Sequence, residues 1–467
     1  MPVSTGMTTK ITDELFNEHA LAEVRLLNML APMRLDMADF PVREIRLGNS
    51  YRYQSERLEL DAEDLARLVL QDSRIDEARF ETVSPGEQAR ITGIRDVVEP
   101  RVKLGRDAQV FPGTISPVQC VGSGLTHRLS GMTVLATAAY EGTIRAGTGV
   151  QRSAILDMWG PGAEASGFSK FVHLVLITRL KEGLGELEAH SAIQKAEFVV
   201  AKQLAEVTQG LEPEKVRRYE LNQTKRSSPR VVLIQGCLTD SQQSHSGVSY
   251  YGLPIRESLA TLIHPNELLD GAMTTNTTRG IGYYPTTWDW QNHPLNLGLY
   301  REQAARRLTF AGVILERIAY ETFHGKEVIA HNTAQLAAQV GADAALVTWL
   351  GSGNAFVEIM LTIRACERRG IKTTLVTYEY GGKDGVDSPL LYYVTEADAV
   401  VSTGSRDRWI ELPEAEKIIG PYEEIKVLSY PGAPLTTARS ALVLDARDLI
   451  IGGIDNWGGD NWICQGY

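Results

Sequence analysis

The sequence predicts an α/β protein, with a C-terminal doubly wound parallel sheet preceded by an α+β N-terminal half. Three observations carry this expectation. Beyond residue 230, short apolar runs alternate with helical patterns, the rhythm of strand and crossover helix. Gly341 and Gly370 stand where two of those helices must end. Before residue 230, short alternating segments are broken by Gly- and Pro-rich stretches instead. The chain divides accordingly into an N-terminal arm (1–41), an α+β domain with Gly-rich loops (42–229), an α/β domain (230–410) and a C-terminal extension (411–467).

Taken in order, residues 1–40 show a helical pattern with Leu15, Leu21, Val24, Leu27 and Met29 near one face, suited to packing on a partner. Segments 44–47 and 78–83 alternate as strands do, and Asp61 ahead of Glu63 and Asp64 starts a helix over 61–71. The stretch from Gly113 to Gly131 is rich in Gly, Pro and Ser and reads as a loop system carrying His127. A strand over 171–177 and a helix over 190–208 follow. Residues 212–230, with Lys215, Arg217, Arg218, Lys225 and Arg226, read as an exposed linker that leaves the segment after it open to solvent. Strands are then expected over 231–235, 309–315, 344–350, 373–378 and 399–402, and helices over 328–340 and 355–369. The last segment is too Gly-rich for a helix, yet Trp457 and Trp462 are costly to leave in water, so it should dock on this chain or a neighbour.

Composition bounds the function. The 467 residues are 43% hydrophobic and 22% charged, as in a globular protein with a large core. Lys and Arg number 47 against 58 Asp and Glu, a net charge of -11, and no basic stripe interleaves with aromatics, so nucleic acid is not an expected partner. No apolar run is long enough to cross a bilayer and no apolar signal core opens the chain, which places the expectation in the cytoplasm. Cys120, Cys237, Cys366 and Cys464 lie far apart with no CxxC pair, and His324 and His331 lack the further ligands of a metal spacing, so neither metal nor disulfide is expected.

The chemistry-bearing candidate is Cys237. It follows Gly236 at the end of the apolar run from Val231, where a strand would deliver a thiol to the loop above a sheet edge. Its sulfur could add to the unhindered Gly236 carbonyl and convert the peptide to a thioester. Elimination of the sulfur, tautomerisation and hydrolysis would then leave a pyruvoyl group on a new N-terminus, an electrophile that no ordinary side chain supplies. A free cysteine at a strand end is also a common space-filler, and an intact Cys237 could serve as the nucleophile of a thiol enzyme. Thr239, Asp240 and His264 are candidates for assisting proton transfer, the last within His264-Pro-Asn-Glu-Leu-Leu-Asp-Gly271. Gly351-Ser-Gly-Asn354 opens a helix and lacks a third dinucleotide-fingerprint glycine, so no nucleotide is expected, although Asn354 could meet a substrate carboxylate. Gly381-Gly-Lys-Asp-Gly385 is not a P-loop, and its Lys383 could do the same.

The residues Val231 to Cys237, His264 to Ala272, Trp288-Asp-Trp-Gln-Asn-His293, Gly312-Val-Ile314, Gly341-Ala-Asp343, Gly381 to Gly385 and Ala397 to Gly404 form an ordered chain of matches. This chain resembles the proprotein subunit of component B of the glycine, sarcosine and betaine reductases, over roughly residues 42–410. The resemblance implies cleavage before Cys237, a pyruvoyl group derived from that residue, and an oxidoreductase hetero-oligomer that breaks a C–N bond of a small amino-acid-like substrate. It further implies a cysteine- or selenocysteine-containing partner subunit and a thioredoxin-type reducing system. The rival expectation is an unprocessed homologue that acts as a structural scaffold for a catalytic partner.

Overall fold

Ten consecutive buried residues, Ala89–Val98, form a strand that no solvent-facing alternation could have marked. The computed structural model describes residues 33–105, 109–139, 154–221, 228–239, 247–276, 285–319, 321–351, 353–379, 390–405, 409–427, 435–444 and 449–459. Within them the chain is mixed α/β, with both parallel and antiparallel sheets. In the N-terminal half, Ala89–Val98 lies between Ala154–Asp157 and Met132–Ala139, followed by Val172–Leu180 and Ile75–Val83. The helix Glu186–Glu206 packs against this sheet through Ala189, Ala192, Ile193, Ala196 and Ala201. Asp61 caps the helix Ala62–Val69 by accepting from Asp64 N at 2.9 Å, as its position ahead of two acids predicts.

The second large sheet runs in the order Ala260–Ile263, Thr309–Ala319, Arg230–Thr239, Ala344–Leu350, Lys372–Glu379 and Val400–Ser405. Its last five strands are parallel and Ala260–Ile263 is an antiparallel edge. Gly341 and Gly370 terminate the helices Phe323–Gln339 and Ala355–Glu367 with φ of 68° and 78°, a backbone region that glycine enters without strain.

The parts of the chain before and after the Gly236–Cys237 bond exchange strands. Arg230–Gly236, which precede the Gly236–Cys237 bond, lie inside the C-terminal sheet, while Lys417–Ile419 join the N-terminal sheet beside Ala89–Val98. A buried bidentate pair reinforces the second exchange: Arg90 bonds Asp157 at 2.6 and 2.8 Å and donates to the carbonyls of Ala438, Ser440 and Pro413.

Several local expectations change. Residues 215–220 are a strand, Lys215–Glu220, paired with Arg34–Pro41, because Arg218 and Arg217 find carboxylate partners in Asp36 and Asp39. Arg34–Pro41, grouped with the arm by sequence, is thus an inner strand of a four-stranded sheet, and residues 1–32 lie outside the described residues. The Gly-rich loop system ends at residue 123, since Gly124–Ser130 forms a strand on which His127 is buried against Thr208. The strand expected over 231–235 runs on to Thr239, because partners flank it on both sides beyond Gln235. The matching segment Trp288 to His293 falls largely in the helix Thr287–Gln291. Trp457 docks on this chain, stacked on His293 with centroids 4.0 Å apart, whereas Trp462 lies outside the described residues.

Candidate functional site

Strand alternation sorts the residues around Cys237. Gln235, Cys237 and Thr239 face one side of the sheet and Gly236 the other. On the Gly236 side there is no room for a side chain: a Cβ there would lie 2.6 Å from Ile359 Cδ1 and 3.1 Å from Trp349 Cβ. Glycine is therefore required at this position by packing as well as by any need for an open carbonyl.

On the other side, polar side chains meet the backbone carbonyls on either side of Gly236. Gln235 Nε2 donates to the Gly236 carbonyl oxygen at 2.9 Å, and the Cys237 thiol turns back toward the carbonyl of Gln235, with sulfur and oxygen 3.6 Å apart. His293 Nε2 meets Gln235 Oε1 at 3.0 Å, and His293 Nδ1 accepts from Asn296 N at 3.4 Å as it caps the helix Pro294–Ala304. A ring nitrogen that accepts carries no proton, so the His293 proton sits on Nε2 and is donated to Gln235. That donation fixes the amide with its oxygen toward His293 and its nitrogen toward Gly236.

The site is dry. Cys237, Gln235 and His293 are all fully buried. Burial raises the Cys237 thiol well above its ordinary range, and the nearby Glu316 carboxyl raises it further. Burial pushes His293 down to about 3, so the imidazole is neutral. Glu316 is paired in register with Gly236 on the adjacent strand. It is itself held well above the usual carboxylate range by burial and by Glu358, and it accepts from Thr362 Oγ1.

The expectation that Cys237 stands in a solvent-accessible loop is corrected: it lies inside a strand bonded on both sides, beneath the face covered by His293 and Trp457. Thr239 shares its strand and face, but its hydroxyl is directed at the Ile318 carbonyl, 3.4 Å away. His264 is at the wrong end. Its strand stops at Ile263, opposite Val313 and hence level with Leu233, which places His264, one residue further on, roughly 16 Å along the strand axis and about 10 Å across two strands from Cys237. There it caps the helix Pro265–Leu269, its Nδ1 accepting from Asn266 N, and burial pushes it down to about 4. Asn354 is exposed four residues past Leu350, the register partner of Cys237, so it shares the carboxyl edge of the parallel sheet with Thr239. Asp240 and Lys383, with the rest of the Gly381 to Gly385 loop, lie outside the described residues. No group of three or more His, Cys, Asp or Glu placed to hold a metal occurs among the described residues. Among them, too, no helix is long and apolar enough to cross a membrane.

Gln235 and His293 were not among the candidates from sequence. Gln235 carried a signal: a lone amide within Val231 to Leu238, where every other side chain is apolar, must find a partner when buried.

A family model described as glycine/sarcosine/betaine reductase component B subunits matches residues 33–452. The chain is 30% identical over 401 residues to a protein of Acetoanaerobium sticklandii named glycine reductase complex component B subunits alpha and beta, covering 83% of this chain and 89% of that one. It is 30% identical over 404 residues to the betaine reductase complex component B subunit alpha of Peptoclostridium acidaminophilum, covering 84% and 89%. The sarcosine reductase complex component B subunit alpha of the same organism is 29% identical over 410 residues, covering 86% and 92%. No solved structure matches.

Proposed function

The chain belongs to the glycine/sarcosine/betaine reductase component B family, and from that premise we propose that it is a self-cleaving precursor subunit of a reductase complex acting on the C–N bond of a small amino-acid-like substrate. The observation that carries the cleavage is the Gln235 amide donating to the carbonyl of the peptide bond that precedes the Cys237 thiol. When sulfur adds to that carbonyl carbon, the oxygen becomes an oxyanion, and a donor already in place stabilises it in a dry, low-dielectric site. The Cys237 thiol proton passes to the departing amide nitrogen, the C–N bond breaks, and a Gly236–Cys237 thioester forms. Adjacency supplies an effective concentration that offsets the raised thiol pKa.

Loss of the Cys237 Cα proton with cleavage of its Cβ–S bond then releases the Gly236 end as a thioacid. Water and loss of ammonia complete the conversion of the new N-terminus to a pyruvoyl group, with no external oxidant or reductant. That group supplies an electrophilic ketone capable of polarising an amine. Asn354, at the same sheet edge, and Lys383, which follows the strand Lys372–Glu379 in sequence, would orient a substrate carboxylate. The name of the Acetoanaerobium sticklandii relative, which gives two subunits to one chain, supports the reading. Full burial disfavours an intact Cys237 as the nucleophile of a thiol enzyme, since neither access nor a thiolate is provided.

By this account the complex also contains a partner subunit with a reactive cysteine or selenocysteine, reduced by a thioredoxin-type system. The test is trapping with a hydrazine probe under denaturing conditions. Label at residue 237 of a fragment starting there, absent from Cys237→Ala, is expected. Wild-type chain that stays whole and unlabelled in working complex contradicts the proposal and favours a scaffold.

A further inference from the structure

Among the described residues, one contact near Gly236 belongs to the far end of the chain. Trp457 is buried, stacked on His293 at 16° between ring planes, with Trp290 edge-on 4.9 Å away. Its segment is tied down on its own account. Asp455 Oδ1 accepts from the backbone N of Trp457, Gly458 and Gly459 at 3.0, 2.6 and 3.1 Å. Just upstream, Ile451 N donates to the Ile155 carbonyl of the N-terminal half. The contacts form a line: Trp457 against His293, His293 to Gln235, Gln235 to the carbonyl of Gly236.

Each link constrains the next. A side-chain amide can present either end, and with its oxygen toward Gly236 it would repel a developing oxyanion instead of stabilising it. The His293 N–H decides between the two, provided that the ring keeps its plane. The helix cap holds one nitrogen of that ring and the Trp457 stack holds its face. We infer that Trp457, acting through His293 on Gln235, is a positioning residue for cleavage at Gly236–Cys237, so that the bond breaks only after the C-terminal segment has docked. This deepens, and rests on, the self-cleavage reading. Its consequence is timing. The residue that completes the arrangement is synthesised long after the bond it governs, so a nascent or truncated chain that lacks Trp457 holds an intact peptide bond.

The test follows cleavage of full-length chain made by cell-free translation, quenched into denaturant at intervals and resolved by mass spectrometry. Gln235→Glu, which accepts from His293 but cannot donate to Gly236 when ionised, should slow cleavage about 100-fold, the cost of losing one oxyanion donor. His293→Asn separates positioning from structure, because asparagine still caps the helix but does not reach Gln235. Cleavage at least tenfold slower with an unchanged melting temperature is expected. Trp457→Ala should match it, whereas Trp457→Phe, which keeps an aromatic face on His293, should stay within about threefold of wild type. If Trp457→Ala fails to fold, His293→Asn and Trp457→Phe decide. Folded His293→Asn that cleaves at the wild-type rate overturns this inference and leaves the self-cleavage reading standing, provided that wild type cleaves and Cys237→Ala does not. A wild-type chain that never cleaves overturns both.

Discussion

Two long buried strands, Ala89–Val98 and Arg230–Thr239, place polar side chains in the core for different ends. In the first, Arg90 and Asp96 are bound into other parts of the chain: Arg90 to Asp157 and three carbonyls of the C-terminal segment, Asp96 to Thr287. In the second, Gln235 reaches only as far as its neighbour's carbonyl and the histidine that aims it. Buried polar groups that tie distant segments are architecture. Buried polar groups that converge on one covalent bond prepare that bond for change.

The first way to sharpen this contrast uses the exchanged strands. Because Arg230–Gly236 stay wedged in the C-terminal sheet and Lys417–Ile419 in the N-terminal one, the cleaved fragments should elute as one particle in native gel filtration and separate only in denaturant. Fragments that part in native buffer would break it. Next in size is Arg90→Ala, which leaves Asp157 buried and unpaired and should cost about 3–5 kcal/mol in chemical denaturation. Measured in uncleaved Cys237→Ala chain, a loss under 1 kcal/mol would show that the pair is not a clasp. Gly236→Ala should cost about 1–3 kcal/mol by overpacking, with partial recovery on adding Ile359→Val, which removes the methyl that a Cβ would strike.

A smaller effect follows from pH. His293 sits near pKa 3 in the fold against about 6.5 unfolded, so below 6.5 the unfolded state binds the extra proton. Its contribution to stability therefore falls as pH drops through the window between roughly pH 6.5 and 3. The buried acids Asp96 and Glu358, each raised to about 7, act oppositely, gaining stability as pH falls toward 4, but they are present in every variant. The stability of Cys237→Ala chain minus that of the same chain with His293→Asn should thus fall on acidification, turning in favour of the variant; a constant difference would contradict a neutral His293. Smallest of all, His264→Asn keeps the helix cap and should leave the cleavage rate unchanged, marking the far end of the sheet as structure.

Much of the C-terminal sheet was legible because its strands are apolar runs of ordinary length ending in Gly-marked helices. Ala344–Leu350 has the expected limits, and Gly341 and Gly370 the expected role. Gly124–Ser130 and Lys215–Glu220 were not legible, since glycine and arginine carry no strand pattern until a neighbouring strand supplies the hydrogen bonds and carboxylates. At the site, Cys237 and Gly236 were legible as a pair. His264 was misplaced because its density of polar groups serves a helix cap, and Gln235 with His293 and Trp457 was missed because their meeting depends on tertiary contacts across the chain.

Denaturing mass spectrometry of freshly isolated wild-type chain decides whether the Gly236–Cys237 bond breaks. The account predicts two fragments, 1–236 and 237–467, whose masses together equal the intact chain plus two waters less one ammonia and one hydrogen sulfide once the terminal thioacid has hydrolysed. A single species of full length in catalytically competent complex contradicts it.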